Sequence, residues 1–308
     1  MRSADAPRRV VVLGPTASGK SAVAMHVASV LGDVDIVAVD AMQVYRRMNI
    51  GTAKPTPADQ ALVAHYCLDL VEPSERFTAT QFQQEASVAL DSIAVSQRRA
   101  ILVGGTGLYL TAVIDELVFP GEWPDIRAEL ESNPDTAEMY ARLVALDPVA
   151  GSRIDPNNRR RIVRALEVCL GSGERFSDAG PGTATFPDNG VVQVGIRWTR
   201  QALARRIAAR VDQMLAEGLV EEVRLLLAES PPMSRTAAQA LGYKEMIDHL
   251  EGRGSLAEAR DEIILRTTQF AVRQERWYRR DPRIRWVDVT GDDAVGAVSP
   301  AVFDALAE

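Results

Sequence analysis

Residues 10–30 read VVVLGPTASGKSAVAMHVASV: four apolar residues, then Gly14-Pro15-Thr16-Ala17-Ser18-Gly19-Lys20-Ser21, then an apolar-periodic segment. A Gly-x-x-x-x-Gly-Lys-Ser pattern between a buried strand and a helix has one physical use. Its glycines let successive backbone N–H groups converge on phosphate oxygens, and the helix N-terminus adds partial positive charge. Lys20 supplies a point charge and the Ser21 hydroxyl can hold Mg²⁺. The pattern specifies phosphate, but it does not separate a nucleoside triphosphate from another diphosphate.

The segments around it predict an α/β fold. RRVVVLG (8–14), DIVAVD (35–40) and AILVGG (100–105) are short bare apolar runs, and helical spacing follows over 21–31, 80–97 and 108–117. Such alternation predicts a parallel sheet covered on both faces. From Gly121 the pattern changes to amphipathic segments around 136–146 and 159–170, followed by a Gly/Pro/Ser/Asp-rich loop over 171–190. This divides the chain into a first core part (1–120), a mainly helical insertion (121–195) and a segment completing the core (196–308). A returning strand is expected at 191–198, helices at 200–217, 219–229, 236–250 and 256–280, and a last strand at 284–289.

Strand ends are where such folds carry function. The second strand ends in Asp40, which is open to three readings: a Mg²⁺ carboxylate, a general base or a loop cap. The third ends in Gly104-Gly105-Thr106, where a plain tight turn would look the same as a substrate contact. Lysine occurs only at 20, 54 and 244, and Lys54, in the turn IGTAKP, reads as a surface residue.

Arginines cluster in NNRRRIVRALEV (157–168), in RQALARRIAARVDQM (200–214) and in RQERWYRRDPRIR (273–285). Arg206 and Arg210, four apart, share a helix face. The third cluster has six arginines around Trp277 and Tyr278, in a chain of net charge −7, and so predicts nucleic-acid backbone contact. His26, His65 and His249 have neither triad nor metal spacing and read as structural. Two distant cysteines and the lack of any long apolar run fit a cytoplasmic protein without disulfide framework, zinc site or membrane span.

In order, GPTASGKS, DAMQVYRRMNIGTAKP, GGTGLY, RRIVRALEV, QALGYKE and RQERWYRR span most of the chain. This set resembles the bacterial tRNA dimethylallyltransferases, the IPP transferase family. The resemblance implies a P-loop NTPase-like, nucleotide-kinase-like core with a tRNA-contacting helical insertion and C-terminal basic helices. It implies transfer of a dimethylallyl group from dimethylallyl diphosphate to N6 of the adenosine immediately 3′ of the anticodon, in tRNAs reading U-initial codons. Residues 14–21 would then grip a departing diphosphate, with Mg²⁺ at Ser21.

By the same resemblance, Thr16, Lys20 and Arg210 (Arg206 the fallback) stabilise that leaving group. Asp40 receives the amine proton, and Thr106 touches the target base. The tRNA would meet Asp40, Ala41, Met42, Gln43, Thr106, Arg127, Arg160, Arg161, Ile162, Val163, Arg164, Arg273 and Arg276. No protein partner is indicated, and a monomer is expected. Two positions depart from the family pattern: Ala41 replaces the usual Ser after the Asp, and Arg276 stands before Trp277 where Thr is usual. The alternatives are a small-molecule or nucleotide kinase, which would move the γ-phosphoryl of ATP, and a non-catalytic switch or RNA-binding module.

Overall fold

The computed structural model describes residues 8–180 and 182–308; the expectations for the extreme N-terminus lie outside them. The chain folds as two compact units, one ending at Ile114 and resuming over Asp188–Glu308, the other spanning Asp115–Pro187.

The first unit is built on a six-stranded, all-parallel sheet. Its strands are β1 (Arg9–Leu13), β2 (Val34–Val39), β3 (His65–Tyr66), β4 (Arg99–Gly104), β5 (Val192–Arg197) and β6 (Ile284–Asp288). The spatial order is β3-β2-β4-β1-β5-β6. Because side chains alternate across a strand, Val11 and Leu13 of β1 enter one core while Val10 and Val12 enter the other. On the first face they meet Tyr45, Phe82 and Tyr243, on the second the helices Lys20–Leu31 and Ala294–Ala307. Burial on both faces is why β1, β2 and β4 carry no polar alternation.

Register decides where the site can be. Leu13 of β1 and Val39 of β2 both pair with Gly104 of β4, so the loops that follow start at one level. A Cβ at Gly104 would stand 2.1 Å from the Val39 carbonyl oxygen, so only glycine lets β4 end there.

Most predicted helices are present, with boundaries that local chemistry explains. Helix Arg200–Ala216 stops before Gly218 (φ 102°), and Leu219–Leu227 begins after it. The helix expected at 236–250 is two, Arg235–Ala238 and Tyr243–Leu250, because Gly242 takes φ 90° and breaks it. In the first unit two helices escaped sequence reading. Pro57–Leu62 begins at a Thr56/Asp59 capping box, and Ala294–Ala307 is an Ala/Val-rich run containing Pro300.

The second unit packs helices Pro124–Ser132, Thr136–Leu146, Pro148–Arg153 and Arg159–Ser172 around Leu130, Leu143, Ile162 and Leu166. Buried Glu167 accepts the Trp123 N–H at 2.9 Å and sits 3.1 Å from Arg164 and 3.4 Å from Arg127. Buried Asp147 caps Pro148–Arg153 through the Ala150 N–H and also accepts from the Ser177 N–H and hydroxyl. The unit ends at Pro187, and the returning strand expected near 191 belongs to the sheet of the first unit. Among the described residues, no helix is long and apolar enough to cross a membrane.

A candidate active-site cleft at the strand ends

The loops leaving β1, β2 and β4 open into one cleft of about 480 Å³ with helices Arg200–Ala216 and Leu256–Tyr278. Its lining includes Thr16, Lys20, Ser21, Asp40, Gln43 and Arg210.

The phosphate loop turns through Ala17 (φ 62°) and Gly19 (φ 93°) before its helix begins at Lys20. It is braced from outside. The Trp198 indole donates to the Ser18 carbonyl at 2.9 Å, and Arg206 Nε donates to the Ala17 carbonyl at 2.9 Å. The Arg206 guanidinium also lies 4.4 Å over the Trp198 ring. Arg206 therefore holds the loop. Arg210, one turn on, reaches the Thr16 hydroxyl at 3.3 Å, with no carboxylate at ion-pair distance among the described residues.

Two cations face this cleft with little to neutralise them. Burial pulls the Lys20 ammonium down to about 8, the Arg210 charge pushes it the same way, and Asp40 opposes. Burial likewise lowers Arg210, with Asp40 again opposing. A multiply charged anion entering here would relieve both.

One oxygen of Asp40, Oδ1, accepts the Met42 N–H at 2.8 Å and the Gln43 N–H at 3.4 Å. Loop capping thus occupies one oxygen, and no hydrogen bond among the described residues falls on the other. Thr106 Oγ1 accepts the Ala41 N–H at 3.1 Å, which couples the turn after β4 to the residue after Asp40.

Ile50, Thr52 and Ala53 also line the cleft, and their segment is held in part by Glu222 and Tyr243, to which sequence reading gave no role. Glu222 accepts the N–H groups of Asn49, Ile50 and Gly51 at 2.8 to 3.1 Å, and the Tyr243 hydroxyl at 2.6 Å. The Tyr243 ring lies over Gly51, where a Cβ would come within 2.4 Å of it. That contact accounts for the Tyr of QALGYKE and the Gly of IGTAKP together. Gln43 Nε2 donates to the Thr52 and Ala53 carbonyls, both at 3.1 Å. Lys54 is not a surface residue: it is 9% exposed and donates to the Tyr45 carbonyl at 2.7 Å and to Asp69 at 2.6 Å. Nothing in the sequence marked the partners, which stand up to 173 residues away.

The other expected residues separate. Ile162 and Val163 are 0% and 2% exposed in the core of the helical unit, so their side chains cannot meet RNA. Amphipathic spacing carries them to the core while Arg160 and Arg161 remain exposed. Arg164 donates to the Pro120 and Gly121 carbonyls and, like Arg127, pairs with Glu167. In the 273–285 cluster, Arg279, Arg283 and Arg285 pair with Glu275, Asp281 and Glu308, and Arg280 stacks on Trp277. Arg273 and Arg276 are exposed without a carboxylate partner among the described residues. All three histidines take structural places: His65 against the Val63 carbonyl, His249 against that of Gly254, His26 against the Phe303 ring.

Mg²⁺ fits this oxygen-donor set only with help from a ligand. No group of three His, Cys, Asp or Glu side chains is placed to hold a metal among the described residues. Ser21 at the helix start could serve as a protein donor, and phosphate oxygens and water would complete the shell, as Mg²⁺ usually requires.

The IPP transferase family model matches residues 43–281. The chain belongs to the IPP transferase family. Among relatives of this family, the tRNA dimethylallyltransferase of Geobacter metallireducens is 45% identical, aligned over 94% of this chain and 96% of its own. That of Streptomyces coelicolor is 44% identical, over 92% and 90%. The solved tRNA isopentenylpyrophosphate transferase of Bacillus halodurans superposes with a TM-score of 0.70 at 34% identity, covering 97% of both chains. The expected P-loop NTPase-like core is the fold observed. These relatives are prenyltransferases by name, which supports prenyl transfer over the kinase alternative.

Proposed function

We propose that the cleft binds dimethylallyl diphosphate and transfers its prenyl group to N6 of the adenosine immediately 3′ of the anticodon in tRNAs reading U-initial codons. One observation carries the reading: a single cleft is lined both by Lys20, Ser21 and Arg210 and by the Asp40 carboxylate. The first three suit a diphosphate and the last an amine.

As the allylic C–O bond breaks, the diphosphate leaves with the electron pair and the exocyclic amine forms the new C–N bond. Negative charge then builds on the diphosphate, and preorganised donors aimed at it lower the barrier. Lys20, Arg210, the Thr16 hydroxyl and the loop amides are those donors. Mg²⁺ held at Ser21 would supply further neutralisation of the leaving group. Asp40 orients the amine through its uncapped oxygen and takes the proton that the new bond releases. Thr106, at the adjoining turn, contacts the base. An adenosine stacked in an anticodon loop cannot reach such a site, so the base must turn out of its stack. Exposed Arg160, Arg161, Arg273 and Arg276 are suited to phosphate contacts with the loop.

The test is a mixing assay with Mg²⁺, labelled dimethylallyl diphosphate and total tRNA. Label should pass into tRNA and return, after nuclease digestion, on a modified adenosine. Transfer of labelled γ-phosphate from ATP to an acceptor, with no prenyl transfer, would overturn the reading.

A further inference from the structure

Gln274 sits on the inward face of helix Leu256–Tyr278, 7% exposed, between two loops that are distant in sequence. Its Oε1 accepts the Thr16 N–H at 2.8 Å, and its Nε2 donates to the Gly105 carbonyl at 2.7 Å. The contact with Gly105 is close: a Cβ there would come within 2.3 Å of Nε2. Each loop then passes the constraint on. Thr16 presents its hydroxyl to Arg210, while Thr106, next to Gly105, accepts the N–H of Ala41 beside Asp40.

We propose that Gln274 is a positioning residue for prenyl transfer, one carboxamide that sets the diphosphate side of the cleft against the amine side. The proposal rests on the prenyl-transfer reading of this cleft. A side-chain amide suits the task because it offers a donor and an acceptor from one carbon without carrying charge. Both of its partners are backbone groups, so residue 274 alone carries the chemistry of the link. Loss of the amide leaves a part-buried N–H and a buried carbonyl unpartnered, and the two loops lose their common reference. Displacements of about 1 Å at reacting groups cost about 10²-fold in rate. The same helix carries exposed Arg273 and Arg276, so the element suited to tRNA contact is also the one that spaces the reacting groups.

Two substitutions test this, each assayed where circular dichroism shows a folded protein. Gln274→Met keeps volume and removes both hydrogen bonds; kcat should fall by about tenfold to a hundredfold, with tRNA binding within about twofold of wild type. Gln274→Glu adds a pH readout. A protonated carboxyl can accept from Thr16 and donate to Gly105, whereas an ionised one can only accept. Burial raises the pKa of a carboxyl here and the Lys20 ammonium beside Gly105 lowers it. While ionised, the carboxylate cannot donate to Gly105, so kcat should be depressed at high pH and recover as pH falls through the carboxyl's own titration. A wild-type kcat in Gln274→Met, or a wild-type kcat in Gln274→Glu at pH 8.5, would overturn the proposal. Wild-type protein that transfers no prenyl group would instead remove the functional reading, and this proposal with it.

Discussion

Helices Arg159–Ser172 and Arg200–Ala216 both carry arginines at helical spacing, and the fold uses them in opposite ways. On the first, Arg164 is spent on the buried Glu167 carboxylate and on two carbonyls, while Arg160 and Arg161 stay in solvent. On the second, Arg206 is spent on the phosphate loop's backbone and on Trp198, while Arg210 lines the cleft with only the Thr16 hydroxyl as hydrogen-bond partner among the described residues. The difference lies in compensation. A guanidinium that has already found its anion stabilises structure, and one buried without an anion is held ready for a ligand's charge.

Removing the uncompensated cation should have the largest effect. Arg210→Ala is expected to lower kcat by about 10² to 10³-fold, the scale for losing one donor to a developing anion, and Arg164→Ala to leave kcat near wild type. Comparable losses in steady-state kinetics would erase the distinction between the two helices. Asp40→Ala should cost about 10²-fold or more while tRNA binding holds.

Next in size comes the structural side. Glu167→Leu leaves Arg164 without its carboxylate and Arg127 with Glu131 alone, and should cost about 2–3 kcal/mol, reduced because both cations are partly solvated. Urea denaturation reads this directly, and unchanged stability would mean that the network contributes nothing.

The pH dependence sharpens the ligand side. Lys20 stands near 8 against an ordinary 10.5, so it holds its proton below that pH and loses it as pH rises through it. Once it is neutral the diphosphate loses a counter-charge, and kcat/KM should fall by up to about tenfold per pH unit above 8. Lys20→Arg should abolish that limb of the profile, and its persistence would place the titration elsewhere.

The smallest effects concern salt. Losing Arg273 or Arg276 should each lower the log–log salt slope of tRNA binding by about 0.7 to 0.9. Losing Arg279, Arg283 or Arg285, which already hold carboxylates, should leave the slope where it was. Equal slopes across all five variants would show that internal pairing does not decide which arginines meet RNA.

Several features were readable in one dimension because their causes are local. A strand–turn–helix with glycines at 14 and 19 can do little besides cradle phosphate. Apolar runs without alternation predict a parallel sheet buried on both faces, and β1, β2 and β4 are such strands. Amphipathic spacing marked the helix at 159, yet the same spacing, properly applied, puts Ile162 and Val163 inside it. Helix Ala294–Ala307 was missed because it is apolar nearly all round and contains Pro300, so periodicity had little to register.

Partnership across the sheet could not be read that way. Arg206 and Arg210 are one turn apart and chemically identical, and only the positions of Trp198 and Thr16 divide bracing from binding. Lys54 resembled a surface lysine until Tyr45 and Asp69 closed around it. Gln274 and Glu222 hydrogen-bond mainly to backbone amides and carbonyls, groups that every residue type shares, so no residue pattern could announce them. The sequence by itself determined the sheet, the phosphate loop and the chemistry on offer, because propensity, periodicity and glycine geometry act within a few residues. The tertiary structure alone decided which charges are already satisfied and which remain open to a substrate, because desolvation and pairing depend on neighbours that the chain brings together only when it folds.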